Sequence, residues 1–405
     1  MKRQLSILSH ARTAGASASQ GAARVSRARG CTARDILTSV LFLVICVLVP
    51  AAGLLLGEFG RENAEENRVL APFPEVRSVE ELLDFPEKFG DWFQDHLCFR
   101  SSMVKAEAAL QLALFGEVQS EKVVFGTERP WLFHKSNDGQ PMETYKRTNL
   151  FSEEDLDRIS ENLSAMQGEF ADAGISLVLM ISPDKEQVYG DRYMPGFVKR
   201  ADNQGRTRQL QDRLRETCPE LPVVYAADVL RAERDRGLLY YETDTHWNQA
   251  GSMLACRELL KVLDPGFTPA EYHFSETEKI RGDLQKLAGL GDAWRSTEFQ
   301  AEEEPLFTVT DSVQDTNGEI IWEHTVRNDG GGVPLKVYVS GDSFRWNMKR
   351  FLEDACCETT VASRYYLDLE DVATAEPDVF VYMIAERYLQ ELDMIPGYNT
   401  MALQR

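Results

Sequence analysis

Histidine is scarce in this chain, six in 405 residues, and neither Cys-x-x-Cys nor His-x₃-His spacing occurs. The usual zinc frameworks are therefore missing, and no metal or other cofactor is expected. Cationic excess is missing as well. Lys and Arg number 44 against 65 Asp and Glu, a formal charge of −21, which argues against a nucleic-acid partner. The imbalance is uneven, because Lys2, Arg3, Arg12, Arg24, Arg27, Arg29 and Arg34 precede the first acid, Asp35. Long apolar runs are missing except for one, Ile36 to Leu56, which carries no charge.

About 20 apolar residues cross a bilayer core. With basic residues before the run and Glu58, Glu62, Glu65 and Glu66 after it, the positive-inside rule places the N-terminus in the cytoplasm and the rest outside. The expected organisation is a basic cytoplasmic leader over 1–35, a transmembrane anchor over 36–57, a juxtamembrane stalk and helical lead-in over 58–121, and the main domain over 122–405. The competing reading is a cleaved signal peptide with Pro50-Ala51-Ala52 as its small-residue site. On the anchor topology five of the seven cysteines lie outside, namely Cys98, Cys218, Cys256, Cys356 and Cys357. An odd number cannot all pair internally.

The main domain reads as α/β. Lys122 to Gly126 and Trp131 to Phe133 suggest a hairpin. A helix is expected from Ser152 to Ala173, opened by the capping box Ser152-Glu153-Glu154-Asp155 and closed at Gly174. The buried strand 175–181, a helix over 202–217 and the strand 222–225 follow at the spacing of a parallel sheet with crossovers. The stretch Asp378 to Ile384 reads as the last strand. Residues from about 265 to 334 form an insertion, expected as a small β lobe with a hairpin around Asn317-Gly318.

Two stretches carry chemistry. Val337-Tyr338-Val339-Ser340-Gly341-Asp342-Ser343-Phe344 changes from strand alternation to the helical spacing of Phe344, Met348, Phe351 and Leu352, with Gly341-Asp342-Ser343 at the join. Such a turn exposes a hydroxyl beside a helix N-terminus, whose free N–H groups suit an oxyanion. About a hundred residues upstream, Asp244-Thr245-His246-Trp247-Asn248 supplies a base and the carboxylate that orients it. The other five histidines stand in weaker settings. Asn248 is expected to cap a helix over 249–263 and so to fix the loop; Trp247, Gly341 and Asp342 are further support residues. Ligands of parallel sheets bind where strands end, which makes Lys185 a candidate substrate-facing residue beside Asp244, His246 and Ser343; Arg345, which follows the serine turn, is another.

Asp244-x-His246-Trp247-Asn248 followed later by Gly341-Asp342-Ser343-Phe344 resembles the SGNH-hydrolase-like proteins of the AlgJ and AlgX type and the related DHHW-type membrane proteins. Lesser matches are Asn67-Arg68-Val69-Leu70-Ala71, Asp91-Trp92-Phe93 with Phe99-Arg100, and Gly282-Asp283-Leu284. As in that family, and unlike ordinary SGNH esterases, the Asp/His block precedes the serine block. The resemblance implies a three-layer α/β/α SGNH-hydrolase-like domain, O-acetylation of an exported polysaccharide, and an acetyl donor delivered by a membrane-bound O-acyltransferase. It implies a Ser343-His246-Asp244 triad and places Glu386 and Arg387 among the polar residues lining the site. A carbohydrate esterase of the same fold and a non-catalytic polysaccharide-biosynthesis scaffold are the alternatives.

Overall fold

A computed structural model of the chain describes residues 33–44, 48, 71–76, 78–96, 100–115, 120–316, 318 and 320–395. The chain divides into two compact units, 1–62 with 70–99, and 63–69 with 100–405. In the first, α1 (Ala33–Leu43) holds the described start of the apolar run, with Ile36, Leu37 and Phe42 exposed. Most of the expected anchor and leader lies outside the described residues. Among the described residues no helix is long and apolar enough to cross a membrane. Helix α2 (Val79–His96) lines up Phe85, Phe89, Trp92 and His96 along one face; Phe85 stacks on Phe89 and Trp92 on His96, Phe89 and Trp92 meet tilted, and Phe73 is edge-on to Phe89 and Trp92.

The second unit begins with α3 (Arg100–Phe115) and the antiparallel hairpin β1 (Val123–Phe125) and β2 (Leu132–His134). Then come α4 (Pro141–Lys146), α5 (Glu153–Asp172), β3 (Ser176–Ser182), α6 (Lys185–Tyr193), α7 (Arg206–Thr217), β4 (Val223–Tyr225), α8 (Ala227–Glu233) and α9 (Gln249–Leu263). The remainder is β5 (Phe274–Ile280), α10 (Asp283–Leu287), β6 (Ser296–Ala301), β7 (Phe307–Gln314), β8 (Ile320–Arg327), β9 (Val333–Gly341), α11 (Arg345–Glu353), β10 (Cys356–Ser363), α12 (Leu369–Ala375), β11 (Val379–Ala385) and a 3₁₀ segment, Glu386–Asp393. The capping box forms as the sequence requires: Ser152 Oγ accepts from the Asp155 amide at 3.1 Å and the Asp155 carboxylate from the Ser152 amide at 3.2 Å. Gly174 follows the helix with φ +78°, a conformation glycine adopts without Cβ strain.

Seven strands form one sheet in the order β4-β3-β11-β9-β10-β8-β7. The first five are parallel, and β8 and β7 add antiparallel at one edge. Successive strand residues face opposite sides, and here both sides are covered. Leu177, Leu179, Ile181, Phe380, Tyr382 and Ile384 pack on the side of α5, α7 and α12. Val178, Met180, Val337, Val339, Val381 and Met383 pack on the side of α6, α9 and α11. Double coverage explains why β3 and β11 read as unbroken apolar runs. The domain is thus an α/β/α layered fold with a mixed sheet.

One expectation changes. The hairpin placed in a separate lobe is β7 and β8, which continue the main sheet; the detached two-stranded piece is β5 with β6. The stretch read as the last strand is β11, the last along the chain, and it lies inside the sheet between β3 and β9. Strand β10 was not expected at all. Its polar Glu358, Thr359 and Thr360 obscure the pattern of a strand that β8 and β9 flank on both sides.

Candidate active site

Strand β9 ends at Gly341, and Ser343 sits exposed in the turn two residues before α11. Asp342 builds that turn. Its Oδ1 accepts from the Phe344 amide at 3.1 Å and its Oδ2 from the Ala385 amide at 2.5 Å, which ties the turn to the end of the neighbouring strand β11.

The segment carrying Asp244 and His246 is not the end of a sheet strand, as the sequence suggested. It is a loop closed on itself by an antiparallel bridge between Tyr240 and Trp247 and by the Tyr241 amide donating to the His246 carbonyl at 3.2 Å. Trp247 carries it to the serine. The indole, fully buried, donates to the Phe344 carbonyl at 3.0 Å and meets the Phe344 ring edge-on at 5.0 Å, while Asn347 Nδ2 donates to the Trp247 carbonyl at 2.7 Å. Asn248 caps α9, its Oδ1 accepting from the Gly251 amide at 3.0 Å. Gly251 is required by space, since a Cβ there would stand 2.1 Å from the Leu239 carbonyl oxygen.

These contacts bring Ser343 Oγ to 2.7 Å from His246 Nε2, and His246 Nδ1 to 2.6 Å from Asp244 Oδ1. Burial alone would raise the Asp244 carboxyl pKa, but the imidazole's charge and hydrogen bond, with the amides of Asp283 and His246, hold it well below the usual carboxylate range. An ionised carboxylate only accepts. Nδ1 therefore carries the proton, and Nε2 presents its lone pair to the serine hydroxyl. Burial pulls the His246 pKa down, yet Asp244, with Asp283 behind it, outweighs that and leaves it raised above 6.5.

Asp283 was noticed in the sequence only as part of a lesser match. The Asp283 amide donates to Asp244 Oδ2 at 2.7 Å, and its carboxylate accepts from the Thr245 amide at 2.8 Å and the Thr245 hydroxyl at 2.5 Å. Gly282 lets this segment approach, because a Cβ there would fall 2.0 Å from the Thr243 carbonyl oxygen. Asp244, His246 and Asp283 present ligand-type atoms within 4.8 Å of one another, but protein donors already engage these carboxylates. The cluster is an imidazole held in place by two hydrogen-bonded carboxylates.

The four residues expected to face a substrate are buried, none more than 6 % exposed. Lys185 Nζ donates to the carbonyls of Tyr241 at 3.2 Å, Glu242 at 2.9 Å and Asp244 at 2.6 Å, so it supports the base loop from beneath. Burial brings its pKa down to about 8, with nearby carboxylates opposing the shift. Arg345 donates to the carbonyls of Gly341 at 3.1 Å and Asp342 at 2.9 Å, tying α11 to the strand end. Arg387 donates to Asp184 Oδ1 at 2.7 Å and lies over the Phe344 ring at 5.2 Å. Glu386 accepts from Tyr225 at 2.9 Å, Thr207 at 2.5 Å and the Asp184 amide at 3.2 Å. Lys185 and Arg345 thus tie down the two segments that carry the triad, while Glu386 and Arg387 are held by Asp184, Thr207 and Tyr225. His134, set aside in the sequence, stands on β2 with its pKa lowered to about 3, by burial first and then by Arg387, Lys185 and His246; it is neutral at physiological pH.

Lys185→Met should separate support from chemistry. Loss of the ammonium leaves three loop carbonyls without their donor, an expected cost of about 2–4 kcal/mol, and turnover of the folded fraction should fall as the loop loosens. Thermal melting and kcat measured together check this; wild-type turnover would contradict the supporting role.

A family model described as the SGNH hydrolase-like domain of acetyltransferase AlgX matches residues 123–355, and the chain belongs to that family. A probable alginate O-acetylase AlgJ of Azotobacter vinelandii is 25 % identical over 306 residues, covering 70 % of this chain and 73 % of that protein. Among solved structures, a DHHW family protein from Eubacterium siraeum superposes with a TM-score of 0.51 at 14 % identity, over 68 % of this chain and 96 % of its own. A structure of Bacillus cereus PatB1 with a sulfonyl adduct gives 0.50 at 9 % identity, over 67 % of this chain and 98 % of its own. These two show a shared fold.

Proposed function

We propose that this protein is an extracytoplasmic O-acetyltransferase, anchored through residues 36–57, that moves an acetyl group onto a hydroxyl of an exported polysaccharide by way of an acyl-Ser343 intermediate. The observation that carries the reading is the unbroken line from the exposed Ser343 hydroxyl through His246 to Asp244. His246 Nε2 takes the hydroxyl proton as Oγ attacks the acetyl carbonyl, and Asp244 stabilises the imidazolium. The imidazolium returns the proton to the departing donor oxygen. A sugar hydroxyl then attacks the acyl-serine with His246 again as base, and the serine leaves with that proton.

An oxyanion donor would come from the backbone amides near Ser343. The Phe344 amide is spent on Asp342 Oδ1 and the Arg345 amide on the Asp342 carbonyl at 3.1 Å, so the Ser343 amide is the nearest backbone donor at the turn for the developing charge. Family membership and the 25 % identical alginate O-acetylase support acetyl transfer to a polysaccharide. The apolar run flanked by opposite charge supports a place beside a membrane acyltransferase that supplies the acetyl group.

The test is full-length protein with a soluble acetyl ester and a polysaccharide fragment, followed by mass spectrometry of the fragment. An acetylated fragment is the expected result. Release of acetate alone, with the fragment untouched, would make the protein an esterase, and no turnover of any acetyl ester would favour the scaffold.

A further inference from the structure

A cavity of about 500 Å³ opens beside the N-terminus of α7, lined by five arginines, Arg147, Arg200, Arg206, Arg208 and Arg231. In a chain of charge −21 such a concentration is against the trend, and its pairing is unusual too. Many arginines of the chain meet carboxylates, as Arg213 does with Glu153 and Asp157. Here Arg231 pairs with Asp228 and Arg208 with Asp212, but among the described residues Arg147, Arg200 and Arg206 form no ion pair. Their hydrogen bonds go to neutral acceptors: Arg147 to the Asn203 carbonyl, Arg200 to Gln187 Oε1 at 3.0 Å, Arg206 to the carbonyls of Glu386 at 3.0 Å and Arg387 at 2.7 Å. Glu386, the other acid on the wall, is spent on Thr207, Tyr225 and the Asp184 amide.

Two further features point inward. Arg206 is only 5 % exposed, and its Nε is buried without a partner. Helix α7 starts on Gly205, with φ +81° and no capping side chain, so its first-turn N–H groups lack the side-chain acceptor that usually caps them. Gly205, Arg206, Thr207 and Arg208 all line the cavity. Bare helix N–H groups flanked by guanidinium forks are the donor set that planar and tetrahedral oxyanions take.

We infer that this cavity is a second ligand site, separate from Ser343, that binds an oxyanion, a carboxylate or phosphate group carried by a small molecule or a glycan unit. Glu386 acts on Arg200 and Arg206, and Asp184 on Arg206, without pairing with them; a bound anion would supply the direct ionic partner that these arginines and Arg147 do not have among the described residues. Burial pulls the Arg206 pKa down, and burial with Arg147 and Arg231 does the same for Arg200; a ligand charge would oppose both. The inference stands apart from the catalytic proposal, since among the described residues no wall residue shares a hydrogen bond or ion pair with Ser343, His246 or Asp244.

Calorimetric titration of the full-length protein with inorganic phosphate, with glucuronate and with glucose tests it. A saturable heat is expected with at least one anion and none with glucose, and the anion that binds identifies the group the site takes. Arg200→Gln should weaken that binding about tenfold or more and leave hydrolysis of a small neutral acetyl ester unchanged. Because Arg200 also lies over the Tyr145 ring, Arg147→Gln serves as a second variant with the same expected loss. Absence of saturable anion binding, or wild-type affinity in both variants, would overturn the inference.

Discussion

Ser343→Ala is expected to lower kcat for acetyl-ester turnover by roughly four orders of magnitude or more with no matching loss of stability. The two halves have separate causes. Ser343 is exposed, and among the described residues its hydroxyl bonds only to His246; truncation of such a group normally changes stability by less than about 0.5 kcal/mol. The same oxygen is the atom that would hold the acyl group, and the surrounding residues offer no substitute nucleophile at 2.7 Å from Nε2. Turnover should therefore collapse in a protein that melts as the wild type does. A variant that keeps its turnover would make Gly341-Asp342-Ser343 an ordinary turn.

Asp244→Asn should cost about 10⁴-fold in kcat and also move the pH profile. The base must be neutral to accept the serine proton, and Asp244 holds the His246 pKa above 6.5 against the pull of burial. In the wild type, kcat/KM should rise with pH through a value above 6.5. In the asparagine variant burial remains and the charge is gone, so the residual activity should rise at lower pH. The stability linkage runs in two directions. His246, raised in the folded state, contributes stability below its unfolded pKa that is lost as pH rises through the folded value; Asp244, depressed, contributes stability above its unfolded pKa of 3.8 that is lost as pH falls. The amide also adds a donor facing Nδ1 or the Asp283 amide, where the carboxylate accepted from both. An unchanged acid limb in the variant would contradict the orienting role.

The parts of this site written locally in the sequence were legible there. Alternation into Gly341 followed by helical spacing marks the serine turn, and the Asn248 cap and the Ser152 capping box depend on residues three apart. What could not be read depends on long-range burial. Lys185 follows a strand end, where a lysine ordinarily reaches solvent, and only the loop from Tyr241 to Asp244 folding over it turns it into a buried donor. Asp283 lies 39 positions from Asp244, inside a stretch whose periodicity says nothing of what it packs against. The same limit hid the arginine cavity, whose walls come from α4, α6, α7, α8 and the 3₁₀ segment after β11. Glu386 and Arg387 were placed near the site but assigned to its surface, since sequence position does not reveal that Asp184 and Tyr225 close over them.

The central claim, that His246 activates Ser343 as a nucleophile, is tested most directly by covalent capture. Full-length protein treated with a small sulfonyl fluoride, digested and analysed by mass spectrometry should carry one sulfonyl group on the peptide containing Ser343, formed in the wild type and suppressed in His246→Ala. Labelling confined to other residues, or labelling of Ser343 at the same rate without His246, would contradict it.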